Sequence, residues 1–308
     1  LTQLEVVPRY LKLLALPWPQ NIYHDYPPVP LPGAALTWVL GAALVGVIVL
    51  AAARRQTTPA LAFGILLIFG TLAPTSSVFA LKETMVEHRT YLPSVGYAFV
   101  VAWLFADLLA ARLGARWTAA ALAGLLGLYC TLHVSYDLLW RSEETLWSHA
   151  VQLNPHSSDG WRYLGDLYKD DGRYSDAVTC YGQALASRPS NVEVRSKLGS
   201  VLARTGRVDE AERELRGALE QAACYTPALN NLANLLRERG DTSGAVALYA
   251  ESLGCNPENA MAHLGLGHIY YGPLRDRLKA AEHYSRFLEL ADPHHSQIRQ
   301  VKEILWRL

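Results

Sequence analysis

Apolar and polar positions divide this chain near residue 140. Four nearly continuous apolar stretches come first, at about 34–53, 59–79, 93–111 and 117–137. Each approaches the ~20 residues that a helix needs to cross a hydrocarbon core. They lack a polar face, which sets them apart from the amphipathic helices of a soluble domain. The second contains Gly64, Gly70 and Pro74 and is expected to bend or stop at Pro74. Trp38, Trp103, Trp117 and Trp140 fall mostly near the span ends, where an indole suits the membrane interface. Ahead of the first stretch, Tyr10, Leu11, Leu13, Leu14 and Leu16 cluster beside Arg9 and Lys12. Pro17, Pro19, Pro27, Pro28, Pro30 and Pro32 follow. Residues 1–33 therefore read as an interfacial helix leading into a proline-stiffened loop, with the tail of another transmembrane helix as the alternative. Residues 34–140 read as a transmembrane domain of four helices.

Past residue 141 the apolar positions keep a 34-residue period. Trp147, Ala150 and Pro155 are followed by Tyr181, Ala184 and Pro189, then by Leu215, Ala218 and Ala223, then by Tyr249, Ser252 and Pro257. This is the period of a tetratricopeptide (TPR) helix pair. Repeats are expected from 158, 192, 226 and 260, with a half repeat over 142–157 and a capping helix over 295–307. In the first full repeat Trp161, Leu164, Gly165 and Tyr168 take the helix A consensus places, and Ala177, Tyr181, Ala184 and Pro189 those of helix B. Gly165 and Ala177 allow close helix approach, and Pro189 stops the second helix. The fourth repeat takes in one extra residue around Gly272-Pro273. The fold class is all-α, a polytopic membrane domain followed by a TPR solenoid over 141–308. Counting back one period from the half repeat places its missing helix inside the fourth span, so the solenoid should grow directly from the membrane domain.

Composition changes the picture in two ways. The 308 residues carry no formal net charge, which argues against nucleic acid as a partner. The charge is also segregated: residues 1–140 hold eight Lys/Arg and six Asp/Glu, and residues 141–308 hold twenty and twenty-two. Arg54 and Arg55 occupy one short loop, and Arg112 and Arg116 another, without an acid in either. The opposite loops balance Lys82 and Arg89 against Glu83 and Glu87, and Arg9 and Lys12 against Glu5 and Asp25. The positive-inside rule puts the arginine loops in the cytoplasm. Residues 80–92 and the solenoid then face the periplasm or the ER lumen. The four cysteines, Cys130, Cys180, Cys224 and Cys255, show neither zinc spacing nor a dense disulfide framework and read as small buried residues. His294-His295 has no further ligand at metal spacing, so no metal site is expected. The chain begins at Leu1 and shows no signal peptide, and it reads as the C-terminal part of a longer protein.

Candidate chemistry lies in the loop between spans two and three. Lys82, Glu87, His88 and Arg89 sit at the non-cytoplasmic surface, where a lipid-phosphate donor would meet the protein. An arginine fork bonds two phosphate oxygens at once, so Arg89 is the candidate phosphate contact. His88 and Lys82 are possible helpers, and Glu87 could orient Arg89 or meet an acceptor. The competing reading is a solvated loop with Arg89 reaching to lipid headgroups. His24 and Asp25 belong to the same side and could join the site or simply form a turn. Asp107 lies near the cytoplasmic end of the third span, within reach of Arg112. On the solenoid, helix A should present Arg162, Asp166, Lys169, Arg204, Asn230, Asn234, Arg237, His268 and Tyr271 to a peptide, or simply to water. Asn230 and Asn234, one turn apart, could bond a peptide backbone without reading its sequence.

Several of these stretches resemble one family. They are Thr2-Gln3 with Tyr10-Leu11, His24-Asp25-Tyr26-Pro27, Pro74-Thr75-Ser76-Ser77, and Glu87-His88-Arg89-Thr90-Tyr91-Leu92-Pro93-Ser94-Val95-Gly96. Trp140-Arg141-Ser142-Glu143-Glu144-Thr145-Leu146-Trp147 then runs into the repeats. Together they are similar to the transmembrane-and-TPR (TMTC) proteins and their bacterial relatives. The resemblance implies a GT-C type membrane glycosyltransferase. Such an enzyme would transfer a sugar from a polyprenyl- or dolichyl-phosphate donor, mannose in the eukaryotic members, to protein Ser/Thr, with the TPRs holding the acceptor or a partner. It implies no cofactor beyond the lipid-linked sugar substrate. The family's catalytic acids belong to a loop of the N-terminal half, so no catalytic residue is assigned to this chain. His88 stands where arginine is frequent in animal members. The alternative function is a non-catalytic, membrane-anchored TPR scaffold.

Overall fold

The computed structural model describes residues 2–16, 35–72, 91–137 and 139–308. Among these residues all regular structure is helical, and the chain divides into two compact units, Leu1–Ser157 and Ser158–Leu308.

The first unit contains α1 (Thr2–Ala15), α2 (Ala35–Ala53), α3 (Pro59–Leu72), α4 (Tyr91–Trp103), α5 (Ala110–Leu113), α6 (Ala115–Asp137) and α7 (Glu143–Leu153). A π-helical turn, Leu104–Leu109, joins α4 to α5 and carries the exposed Asp107. Leu92–Leu113 and Ala115–Leu132 are long and apolar enough to cross a bilayer, and only 6% of each is buried within the protein. Gly41–Ala53 and Pro59–Leu72 are shorter apolar stretches. A soluble core helix would be enclosed. Here Trp38, Val39, Leu126 and Val134 are exposed, an apolar surface of the kind that marks a membrane or protein contact.

Where these helices do touch, small residues set the approach. A Cβ on Gly64 would lie 2.6 Å from the Gly96 carbonyl oxygen, and one on Gly96 would lie 2.6 Å from that of Gly64. The backbones of α3 and α4 therefore meet at this pair, and Phe63 and Phe99 close edge to face beside it, 4.9 Å apart. Such small-residue crossings replace the hydrophobic effect where the surroundings are apolar. α1 packs Tyr10 and Leu14 against Ile68, Leu72, Tyr97 and Val100. The Tyr129 hydroxyl donates to the Leu14 and Ala15 carbonyls at 2.7 and 2.8 Å, satisfying acceptors that the end of α1 leaves open.

The second unit is a stack of helix pairs. Helices α8 (Ser158–Asp170), α10 (Val192–Arg204), α12 (Thr226–Glu238) and α14 (Ala260–Tyr271) are the A helices. Helices α9 (Tyr174–Ser187), α11 (Val208–Gln221), α13 (Thr242–Cys255) and α15 (Arg277–Leu290) are the B helices, and α16 (Ile298–Arg307) closes the end. Ala177, Ala211, Ala245 and Ala280 are fully buried, as are Tyr181, Leu215, Tyr249 and Tyr284 to within 1%. Gly165, Gly199 and Gly267 face the last set directly: an added Cβ would lie 2.7 Å from Tyr181, 2.6 Å from Leu215 and 2.5 Å from Tyr284. α16 buries Val301 against Leu264, Tyr284 and Phe287.

One feature departs from the sequence expectation. Cys224 and Cys255 form a disulfide, with Cα atoms 5.5 Å apart; Cys180 is a buried free thiol and Cys130 an exposed one. The bridge ties the turn before α12 to the end of α13, so it staples the third repeat shut. Closing a loop of that length stabilises by about 3–4 kcal/mol in the chain-entropy picture. The A-to-B turns share a backbone feature. Gly172, Gly206 and Gly240 adopt left-handed φ values of 75°, 77° and 85°. In the fourth repeat the extra residue shifts this position to Arg275, which holds φ 51° and is the only non-glycine with positive φ among the described residues.

Arg275→Gly should therefore stabilise the protein. Relief of the left-handed strain exceeds the entropy glycine adds to the unfolded chain, leaving a net gain of about 0.5–1 kcal/mol. Urea unfolding of the two proteins measures it, and an unchanged or lower midpoint would contradict the strain argument.

Candidate functional site

Each A helix sets one side chain against the B-helix residue packed behind it. Tyr181 Oη donates to Asp166 Oδ1 at 2.6 Å, and Tyr249 Oη to Asn234 Oδ1 at 2.7 Å. Tyr284 Oη and His268 Nδ1 lie 2.8 Å apart. In the second repeat Leu215 replaces the tyrosine, and Ser200 stands at the acceptor position. The tyrosines are buried, so each hydroxyl requires a partner. Burial pushes the Tyr249 and Tyr284 phenols up to about 12, so both remain protonated donors near neutrality.

Around Asp166 the groove charges satisfy one another. Lys197 Nζ reaches Asp166 at 2.7 Å and Glu193 at 3.1 Å, and Arg162 reaches Asp166 at 3.2 Å and Asp159 at 3.6 Å. Arg162 also lies over the Tyr163 ring. Burial alone would push the Lys197 ammonium down, but its hydrogen bonds to Asp166 and Glu193 outweigh that and hold it above its ordinary value. Lys169 pairs with Asp170 at 3.0 Å, and Arg204 donates to Tyr174 Oη at 3.0 Å. Asn230 is tied down as well: its Nδ2 donates to Asn259 Oδ1 at 3.3 Å, on the side chain that caps α14.

The later repeats are arranged differently. Asn234, Arg237 and His268 line one pocket of about 340 Å³. His295, Ser296 and Gln297, from the turn before α16, complete it, with Met261 and Leu264 as its apolar part. Burial, with Arg237 as the second cause, pushes the His268 imidazole below its ordinary value. Tyr271 is exposed nearby in sequence and sits outside the pocket lining. His295, Ser296 and Gln297 escaped the sequence reading because they fall outside the 34-residue period. The loop candidates Arg89, His88, Lys82 and Glu87, and His24 and Asp25, lie outside the described residues.

This architecture defines the class: a tetratricopeptide-repeat solenoid joined in sequence to apolar helices. Residues 150–223 and 228–255 match models of the tetratricopeptide repeat. The chain's homologues include protein O-mannosyl-transferase TMTC3 of Mus musculus, 26% identical over 235 residues, covering 70% of this chain and 25% of that protein. TMTC1 of the same species is 29% identical over 162 residues, covering 52% of this chain and 17% of its own length. The cellulose synthase operon protein C of Pseudomonas fluorescens is 29% identical over 137 residues, 42% of this chain and 10% of that protein. The last two shares fit within the repeats. A 70% share is larger than the helices from Glu143 onward can supply, so the TMTC3 match runs into the apolar half. The chain spans about a quarter of the length of TMTC3. Among solved structures, the crystal structure of MamA is 21% identical and covers 52% of this chain and 89% of its own, with a TM-score of 0.42.

The Asp166 contacts are testable by a double-mutant cycle. Asp166→Ala strands the Tyr181 hydroxyl, leaves the Lys197 ammonium with Glu193 alone and should cost roughly 2–3 kcal/mol. Tyr181→Phe should cost about 1 kcal/mol by itself and nearly nothing in the Asp166→Ala background. Additive losses would show that the hydroxyl and the carboxylate do not act together.

Proposed function

We propose that this chain is part of a membrane glycosyltransferase that moves a sugar from a polyprenyl-phosphate donor to Ser/Thr of a protein, and that its TPR A helices hold the acceptor protein. The carrying observation is the extent of the TMTC3 match, which passes beyond the repeats into the apolar half. Similarity confined to the repeats would support protein binding alone. In this reading Arg89 contacts the donor phosphate, His88 and Lys82 assist, and Glu87 orients Arg89. His24 and Asp25 approach the same site from the proline-rich segment.

The same reading makes the chain a multi-pass membrane protein with its repeats on the non-cytoplasmic side. Two independent features support that placement. Arg54 and Arg55 lie exposed in the turn between α2 and α3, and Arg112 and Arg116 flank Gly114 between α5 and α6. All four sit on one side if the apolar helices cross, and such loops stay in the cytoplasm. The Cys224–Cys255 disulfide belongs to the repeats, and a disulfide persists in an oxidising compartment such as the periplasm or the ER lumen.

Two measurements test this. In membranes containing the full-length protein and supplied with labelled polyprenyl-phosphate mannose, label should enter protein. Arg89→Ala should reduce that transfer by about a hundredfold, the scale of losing one preorganised charge contact. Undiminished transfer would remove Arg89 from the donor site, and absent transfer from folded protein would favour the scaffold function. Separately, Cys224 and Cys255 should resist alkylation in native membranes until a reductant is added. Free thiols at both positions in freshly isolated membranes would turn the topology around.

A further inference from the structure

The two helices of the fourth repeat are joined through histidines, at places where the earlier repeats use other groups. His263 Nδ1 on α14 and His283 Nδ1 on α15 lie 3.0 Å apart, and His263 Nε2 lies 3.3 Å from the Pro257 carbonyl oxygen. Two repeats earlier the same places hold Arg195, Glu214 and Pro189. There the guanidinium donates to the Glu214 carboxylate and to the Pro189 carbonyl, both at 3.0 Å. Leu229 and Leu248 occupy the corresponding positions in the third repeat, and Trp161 and Cys180 those in the first. Burial pushes the Cys180 thiol up to about 11, so none of these earlier pairs changes charge between about pH 5 and 8. A second contact follows the same pattern. His268 meets Tyr284 at 2.8 Å, where Asp166 and Asn234 meet the tyrosines of the first and third repeats.

The Pro257 carbonyl can only accept, so His263 Nε2 carries a hydrogen and its Nδ1 is bare. His283 Nδ1 is then the donor between the rings. His283 Nε2 is the basic nitrogen left to the pair, and it can take one proton with the contact intact. A second proton would fall on His263 Nδ1 and set two N–H groups against each other. The closed pair therefore holds one added proton, and separated helices hold two. The charged groups acting on His283 are His263 from α14, and Glu282 and Lys279 from its own helix; Tyr270 stacks on its ring at 5.5 Å. Burial first, and His263 second, push the His283 imidazole below its ordinary value, and Glu282 opposes them. Around His268 stand Tyr284, Arg237 and, across the same pocket, His295. Its depression, by burial and then Arg237, has the same sign. A base whose folded-state pKa is depressed contributes stability above its unfolded pKa, about 6.5, and that stability drains away as pH falls below this value.

We infer that α14–α16 form an acid-labile joint, in which proton uptake at the His263–His283 and His268–Tyr284 contacts parts α14 from α15 and releases α16 while the preceding repeats stay folded. α16 rests on both helices, through Val301 against Leu264, Tyr284 and Phe287, so it leaves with them. The opening also has a boundary. The Cys224–Cys255 bridge closes the third repeat just ahead of α14, and each repeat of a solenoid contacts only its neighbours.

The test is hydrogen exchange followed by mass spectrometry on the full chain in detergent micelles, at about pH 7.5 and about pH 5, with each rate divided by the intrinsic rate at that pH. Protection over α14–α16 should fall at least about tenfold in acid, which one histidine kept neutral by the fold supplies across that interval. Protection over α8–α13 should change by less than about threefold. His263→Leu, His283→Leu and His268→Asn together copy the third repeat and should abolish the acid loss. His283→Gln alone keeps a donor towards His263 but removes the base. It should shrink the loss by about threefold or more, and it serves if the triple variant fails to fold at neutral pH, as judged by circular dichroism. An equal fall in every repeat, or no fall over α14–α16, would overturn the joint. So would an acid loss that persists in the folded variants. Protection that drops at neutral pH on adding EDTA would overturn the proton as the controlling ligand and point to a metal ion between the two imidazoles.

Discussion

The solenoid depends on one repeated contact, in which a small residue on helix A admits a large residue from helix B. Gly165 meets Tyr181, Gly199 meets Leu215 and Gly267 meets Tyr284, each closer than a side chain on the glycine would permit. That proximity buries the ring completely and brings its hydroxyl to the outer side of helix A. A buried hydroxyl demands an acceptor, so the same contact dictates what helix A carries one position further along the face. Asp166, Asn234 and His268 answer three tyrosines, and Ser200 accompanies the repeat in which leucine removes the demand. Packing in the core thus selects the chemistry of the presented surface. Residues that look like free groove polar groups are the visible ends of buried hydrogen bonds.

The apolar half obeys a different rule. Leu92–Leu113 and Ala115–Leu132 bury almost none of their own length, and α3 and α4 meet where glycine lets backbones touch, at Gly64 and Gly96. Leu92–Leu113 keeps its apolar character through a π-helical turn that carries the exposed Asp107. In both halves glycine spacing decides which helices associate. In the repeats it does so to enclose tyrosine, and in the apolar half to bring main chain against main chain.

Much of this was legible in the residues because the positions that set the period tolerate few substitutes. Alanine and tyrosine on helix B and glycine on helix A are fixed by close approach, so the 34-residue pattern shows through. What stayed hidden lies off that period. Cys224 and Cys255 are 31 residues apart, so they occupy unlike places in successive repeats and gave no sign that the third repeat brings them together. The extra residue in the fourth repeat was visible, but its conformational consequence, a left-handed Arg275, appears only in the backbone. The pocket was half legible: Asn234, Arg237 and His268 lie on the expected face. His295, Ser296 and Gln297 arrive by way of the capping segment, which no repeat consensus describes. The roles of Asn230 and Asp166 were invisible for another reason. A sequence shows which polar groups a face carries, not which of them neighbouring helices have already engaged.

A net charge of zero conceals this division of the presented face. At the α8–α10 end, Arg162 and Lys197 stand among Asp159, Asp166 and Glu193, and a ligand charge there would have to displace partners already held at short range. Displacement exchanges one ion pair for another and yields little net binding, whatever the local density of charge. At the α14–α16 end the charge density is lower, and the Arg237 guanidinium meets the Tyr249 hydroxyl and a long, 3.8 Å ion pair with Glu238. The crowded end contributes stiffness, holding the first two repeats in register. A surface ranked by its count of charged residues would count charges that are already engaged with one another.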